Sequence, residues 1–211
     1  MNKKILLVGG GGHCKSVLDT LLEKNDYAEI GIIEKDDFIS NSIMGVPILG
    51  CDDDLPNFYL RGYEFAFLTV GNLFLRIKLF NILSEIGYKI PIIIDSSAKV
   101  SKNANIEKGV FIGKNCVVNA GVEIKRGAII NSGAIVEHDC YIGEFSHIAP
   151  GAVLCGEVSI GNNSHLGANS CVKQQVRIGS NSIIGMGSVV IKNIHDSVLA
   201  YGSPCKEVKK V

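Results

Sequence analysis

Residues 130–148 read INSGAIVEHDCYIGEFSHI, with Ile130, Val136, Ile142 and Ile148 six apart and the small residues Ala134, Cys140 and Ser146 four places after the first three. Extended in both directions, the interval of six holds without a slip from Ile94 to Val190, always as Ile, Val or Leu. The position four residues on is Ala, Cys, Ser or Val from Ala98 through Ser188. Such a period matches neither the 3.6-residue helix nor the two-residue alternation of a sheet meander. It matches a solenoid whose units are a short strand plus a corner. Three units close a triangular coil, with one large aliphatic and one small side chain turned inward on each side. Glycine follows the aliphatic residue at Gly113, Gly143, Gly161, Gly167, Gly179 and Gly185, near corners where a side chain is least welcome. The expected architecture is a left-handed parallel β-helix, an exception to the right-handed crossover rule.

Before residue 90 the periodicity changes. Lys4 to Val8 is an apolar run that ends in Gly9-Gly10-Gly11-Gly12. Residues 15–23 place Val17, Leu18, Leu21 and Leu22 on one helical face. A second strand is expected over residues 30–33, followed by Glu34-Lys35-Asp36-Asp37, and a third over residues 65–70, ending at Gly71-Asn72. Residues 76–86 read as helix with Gly87 as the stop signal. This is a βαβ order, hence an α/β Rossmann-like domain: a parallel sheet with helices on both faces. Pro91 marks the expected boundary. It divides the chain into a small nucleotide-binding domain, residues 1–90, and a β-helix domain with a short tail packed back on it, residues 91–211.

Composition narrows the function. With 21 basic and 21 acidic residues there is no electrostatic footprint for nucleic acid or an anionic membrane. The apolar start is too short for a signal peptide, and no stretch reaches the ~20 residues of a membrane span. Seven cysteines without a CxxC, two of them (Cys116 and Cys140) in small inward slots of the repeat, read as free thiols of a cytoplasmic protein.

A glycine turn between a strand and a helix N-terminus lets backbone N–H groups and the helix dipole meet a phosphate. Gly9, Gly11 and Glu34 approach the dinucleotide fingerprint, but Cys14 stands where its third glycine would be. The domain is also small, so a nucleoside diphosphate is favoured over NAD. The plainer alternative is that the glycines only make a tight turn. On the solenoid, His138 lies two residues past the inward Val136, at a corner, within Glu137-His138-Asp139. An imidazole beside a carboxylate is suited to general-base work; a solvated surface histidine is the alternative. His147 and His165 are one coil apart and should stack at about the 4.8 Å inter-strand spacing. A metal held by that pair would make the protein a zinc hydratase, but His138 is half a coil out of register, and no metal is expected.

Together these residues resemble the bacterial hexapeptide-repeat sugar acyltransferases that carry an N-terminal nucleotide-binding domain, a group with the N-acetyltransferases of bacillosamine and perosamine pathways and the sialic acid O-acetyltransferases. The resemblance rests on Val8 through His13 with Lys15, on Gly45-Val46-Pro47-Ile48-Leu49-Gly50, and on Val70-Gly71-Asn72 followed by Arg76. It rests further on residues 130–134, 136–140 and 143–147, and on Gly202-Ser203-Pro204-Cys205-Lys206. It implies a homotrimer with acetyl-CoA between adjacent solenoids, and a UDP- or GDP-linked amino sugar whose nucleotide docks on the N-terminal domain. It further implies His138 as general base, Asp139 as the acid that polarises it, and Asn131 near the reacting amine. By the same resemblance His147 lies near the thioester, and Ala168 and Met186 lie along the acyl-CoA channel. Gly11, Gly12, His13, Glu34, Lys35 and Gly71 would face the nucleotide. Two departures stand out: Glu34-Lys35 replaces an acidic pair frequent in users of UDP-sugars, and Asp95 stands where many members have histidine. The implied reaction is direct acetyl transfer to the 4-amino group of a nucleotide-linked 4-amino-4,6-dideoxy sugar. The alternatives are O-acetylation of a sialic acid or related sugar, and a non-catalytic nucleotide-binding scaffold.

Overall fold

The computed structural model describes residues 3–35 and 41–211; Asp36 and Asp37 of the acidic run lie outside them. The chain forms two compact units, Met1–Ile93 and Ile94–Val211.

The first unit is built on strands β1 (Lys4–Val8), β2 (Glu29–Ile33), β3 (Ser42–Ile43), β4 (Val46–Gly50) and β5 (Phe65–Leu68), in the sheet order β3-β4-β2-β1-β5. β1 is wholly apolar after Lys4, with Ile5 through Val8 at zero exposure, as a strand covered on both faces must be. It pairs in parallel with β2 on one side and β5 on the other. Because the crossover from β1 to β2 and that from β4 to β5 run in opposite directions across the sheet, right-handedness puts their connecting helices on opposite faces. The crevice opens between the carboxyl ends of β1 and β5. The edge hairpin of β3 and β4, not apparent in the sequence pattern, turns through Met44 (φ 49°) and Gly45 (φ 82°), the double positive φ of a two-residue hairpin loop. Helix α2 (Leu55–Leu60) likewise gave no periodic signal, being only six residues long.

Two helices begin earlier than their periodicity indicates. α1 runs Gly12–Lys24, with Gly11 as its N-cap, so the fourth glycine and His13 belong to its first turn. α3 runs Leu73–Ile86, capped by Asn72, whose side-chain oxygen accepts from the Leu75 N–H at 3.0 Å. It stops at Gly87, φ 104°, as expected. The apolar stripe locates a helix only where it packs; the first turn of α3 is set by its Asn72 cap, and that of α1 follows the glycine turn without a side-chain cap.

In the second unit seventeen two-residue strands follow at steps of six, from β6 (Ile93–Ile94) to β22 (Val189–Val190). They stack into three parallel sheets, each strand over the strand 18 residues earlier, so Ile130 lies on Ile148, Val136 on Leu154 and Ile142 on Ile160. The interior is an unbroken column of these aliphatics and their small partners, including Cys116, Ala134, Cys140 and Ala152. Where the small slot is serine, the hydroxyl bonds the backbone: Ser146 Oγ donates to the Gly161 carbonyl at 2.6 Å and accepts from the Ser164 N–H at 3.1 Å. A polar group is buried there without an unmade hydrogen bond.

The corners correct one expectation. From Gly109 to Gly187 every sixth residue has positive φ, among them Asn115, Asp139, Phe145, Asn163 and Asn181 as well as glycines. These are not the glycines that follow the aliphatic residues. Those serve the stacking of coils instead: a Cβ on Gly161 would lie 2.4 Å from the Ser180 nitrogen, and one on Gly143 2.6 Å from that of Asn162. The tail closes the stack. β23 (Val198–Gly202) lies in parallel on β21 (Ile183–Ile184), and β24 (Cys205–Lys210) turns back antiparallel, placing Lys206, Lys209 and Lys210 on the free edge, where charge discourages further pairing. Among the described residues no helix is long and apolar enough to cross a membrane.

Candidate active site

In the first unit the residues expected to face a nucleotide gather at the β1–β5 crevice. Gly9 has φ 106°, and a Cβ there would strike Val70 Cγ2 at 2.6 Å, so glycine is required twice over. The Thr69 hydroxyl donates to the Val8 carbonyl at 3.0 Å and to that of Gly9, tying the two strand ends together. Gly11, Gly12 and Gly71 border open space. Gly11 has φ −74°, so its bare Cα serves access and not backbone strain. Cys14, in place of the fingerprint's third glycine, is fully buried against the sheet, and burial pushes its thiol up to about 11. It packs as a small apolar residue.

Glu34 is clamped at the end of β2. Its carboxylate accepts the Gly10 N–H through one oxygen and the Lys35 N–H, at 2.9 Å, through the other. The Gly10 donor is therefore taken, and the Cys14 N–H bonds the Gly11 carbonyl at 3.0 Å, which leaves Gly11 and Gly12 as the backbone donors placed for a phosphate. Burial, and then the neighbouring Arg76 charge, holds His13 down at about 4, so it is neutral at physiological pH. Arg76, 4 % exposed, is lowered by burial only to about 10 and stays cationic. A buried cation beside the α1 N-terminus adds to the positive potential of the helix dipole. The sequence motif contained Arg76 but gave no sign of its burial.

In the second unit the expected residues fall into two groups on adjacent corners. His138 follows β13 (Ile135–Val136), and its Nδ1 lies 2.9 Å from Asp139 Oδ2. The αL backbone at Asp139, φ 58°, folds this side chain back onto the preceding residue. A carboxylate can only accept, so Nδ1 carries the proton and Nε2 keeps its lone pair. The hydrogen bond to Asp139 is the main cause holding the imidazole above its ordinary value, with the charges of Asp139, Glu137 and Glu157 adding to it. The ring is more than half exposed and open to a substrate.

Asn131 follows β12 (Ile129–Ile130), one corner earlier. Its side-chain nitrogen lies 3.1 Å from His147 Nε2, and its oxygen accepts the Ser132 N–H at 2.8 Å. Asn131 thus meets His147, while His138 meets Asp139. Ala168 and Met186 occupy the Asn131 corner one coil apart from each other, the Gly187 N–H bonding the Ala168 carbonyl at 2.8 Å; Met186 is 81 % exposed. His147 and His165 stack as expected, ring centroids 4.9 Å apart but edge to face. Among the described residues no group of three or more His, Cys, Asp or Glu is placed to hold a metal ion. Asp95 is buried and accepts from the backbone N–H and hydroxyl of Ser97 at 3.0 and 2.6 Å; it shapes the first corner. Cys116 and Cys140 are buried thiols pushed up to about 11, first by burial, and each donates to a backbone carbonyl, of Asn131 and Cys155.

A solenoid of hexads with a histidine–carboxylate pair at one corner, joined to a parallel sheet with a glycine turn at its switch point, defines a class of acyltransferases. The family model for the PglD N-terminal domain matches residues 4–83, and that for bacterial transferase hexapeptide repeats matches residues 103–138 and 157–192. The chain belongs to the acetyl-CoA-dependent, hexapeptide-repeat sugar acetyltransferases with a PglD-type N-terminal domain. PerB from Caulobacter crescentus, solved with CoA and GDP-perosamine, is 34 % identical at a TM-score of 0.93, with 99 % of each chain covered. A histidine-to-asparagine variant of the Caulobacter crescentus perosamine N-acetyltransferase, with the same two molecules, is 33 % identical at a TM-score of 0.94, covering 100 % of this chain and 99 % of its own. The acetyltransferase domain of PglB from Neisseria gonorrhoeae, with acetyl coenzyme A, is 34 % identical at 0.92, covering 99 % of this chain and 100 % of its own.

Proposed function

We propose that this protein transfers the acetyl group of acetyl-CoA to the 4-amino group of a GDP- or UDP-linked 4-amino-4,6-dideoxy sugar, with His138 as general base. The observation that carries the reading is the His138–Asp139 pair: Nδ1 is committed to the carboxylate and Nε2 is free at an exposed corner. An amine bound as ammonium has no lone pair for attack. Nε2 takes one proton from the ammonium, the freed amine bonds the thioester carbonyl carbon, and as the adduct collapses to the amide the nitrogen gives up its second proton to the departing CoA thiolate. Asp139 stabilises the imidazolium. No covalent acyl-enzyme is involved, and the buried, high-pKa thiols of Cys116 and Cys140 are unsuited to forming one.

Support for the substrates comes from the relatives solved with CoA and GDP-perosamine and from the glycine turn of the first unit. Gly11 and Gly12 would present N–H groups to the phosphates, His13 would face the nucleotide, Gly71 would leave room for it, and Glu34 and Lys35 would face its ribose and base. The carboxylate of Glu34, already fixed by two N–H groups, has lone pairs left for a ribose hydroxyl.

Support for a homotrimer comes from the corners. His138 and the Asn131–His147 pair lie on adjacent corners of one prism, and an acyl donor lying between two prisms would meet one of them from each chain. Ile183, Met186, Val189 and Ile191, all exposed apolar residues of the last coil, suit a pantetheine arm running between chains along Ala168 and Met186.

The test is CoA thiol release against a panel of GDP-, UDP- and dTDP-linked 4-amino sugars. Turnover is expected with a 4-amino sugar and not with its 4-hydroxy counterpart; acetylation of the hydroxyl sugar alone would replace this reading with O-acetylation. His138→Ala is expected to lower kcat by about 10² to 10⁴, and near-full turnover would remove His138 from the mechanism. Gly11→Val should raise KM for the sugar nucleotide and leave that for acetyl-CoA unchanged, without loss of fold, since φ there suits any residue. Equal effects on both KM values would move the nucleotide away from the glycine turn.

A further inference from the structure

Gly156 lies one coil beyond His138, on the corner after β16 (Val153–Leu154). A Cβ on Gly156 would fall 2.5 Å from Cε1 and 2.6 Å from Nε2 of the His138 ring, and 3.2 Å from Nδ1. The space a side chain would fill is the space the imidazole occupies. Nothing else at this position calls for glycine. Its φ is not positive, so the backbone is open to any residue. The equivalent corner position carries Ala120 two coils earlier, Gln174 one coil later and Lys192 two coils later, so the stacking of coils tolerates a side chain there. Gly121, one coil before Asp139, shows the same relation to the carboxylate, a Cβ there lying 2.2 Å from Oδ1, but its φ of 75° also demands glycine. Only at Gly156 is the imidazole the sole reason.

We propose that Gly156 is a positioning residue for the acetyl-transfer base: its bare Cα is the seat on which the His138 ring lies, and that seat holds the ring against Asp139. This rests on the reading of His138 as the base. Because the ring is exposed on its other side, a methyl group at residue 156 displaces the imidazole and leaves the coil in place. The charged groups that face the ring are Asp139, Glu137 and Glu157; a displaced ring loses its hydrogen bond to the first and keeps only the general field of the others.

The experiment is Gly156→Ala in the full-length protein. It is followed by NMR titration of histidine rings labelled at Cε1, with the His138 signal assigned by its loss in His138→Ala, and by steady-state kinetics. The expected results are a His138 titration shifted down toward the ordinary value, and a kcat lowered by about ten- to a hundredfold. The unfolding midpoint should not change. Placed in the His138→Ala background, Gly156→Ala should cause no further loss, because it acts only through the ring. An unchanged titration, or an additive loss in the double variant, overturns the proposal. A shifted titration with full kcat upholds the seat and overturns His138 as the base.

Discussion

His138 presents Nε2 outward because Nδ1 is taken by Asp139, and the same contact sets the direction of its pH dependence. The imidazole is held above its ordinary value of 6.5. Below that raised pKa the ring is already protonated and takes no proton from the substrate, so kcat/KM is expected to rise with pH through it. Asp139→Asn removes the negative charge and the acceptor that fixes the tautomer. The rising limb should then move to lower pH, and the plateau should fall by about ten- to a hundredfold, less than in His138→Ala. A pH profile of kcat/KM reads both effects, and a limb that stays in place would show that another group is titrating. The Glu137-His138-Asp139 stretch was legible in the sequence as an acid–base candidate. The αL turn at Asp139 that closes the pair was not, because it depends on the corner's place in the coil. Gly156 stands one coil past His138 and Arg76 stands in the quoted motif, but neither period nor motif shows that the ring lies over Gly156 or that Arg76 is buried beside His13.

The hexad joins two requirements that the sequence does not tell apart: corner residues in the left-handed region, and residues beneath which the next coil passes. Gly187 and Gly161 separate them. Gly187 has φ 68° and nothing within reach of a Cβ, whereas Gly161 has ordinary φ and the Ser180 backbone at 2.4 Å. Gly187→Ala should cost about 1 kcal/mol, the backbone penalty alone. Gly161→Ala should cost about 1–3 kcal/mol, because a main chain and not a side chain must move. Equilibrium unfolding in urea distinguishes them, and equal losses would mean that coil spacing is more yielding than the contact indicates. In the first unit the elements missed by pattern are β3 and α2, which are short, and β4, which is as long as β1 but carries Pro47. Two to six residues carry too few alternations or turns for a period of β3 or α2 to show, and β4 is placed by its pairing with β2 and by the Met44-Gly45 turn.

The solenoid keeps its proposed catalytic residues apart, and this has a consequence for the assembly. If one site takes His138 from one chain and His147 from its neighbour, each of His138→Ala and His147→Ala should be impaired alone, the first in kcat and the second mainly in acetyl-CoA affinity. Co-refolding the two in equal amounts should then restore intact sites at about a quarter of all positions in a randomly assorted closed ring. Light scattering should report a trimer throughout. A mixture no more active than the mean of its parents would show that each chain builds its whole site alone.

The sequence by itself determined the β-helix, its register and its inward faces, because a six-residue period sustained over seventeen strands leaves one way to bury every aliphatic residue. It determined the strand–glycine–helix start of the first unit for the same local reason: φ and access at Gly9 through Gly12 are properties of the residues themselves. Only the tertiary structure decided which donors of that turn are already taken, by Glu34, and that His13 is held neutral in the crevice beside the buried Arg76. It also decided that Asn131 meets His147 and that the His138 imidazole lies over Gly156. Each of these depends on where side chains lie in space, and a period fixes only which backbone positions stack.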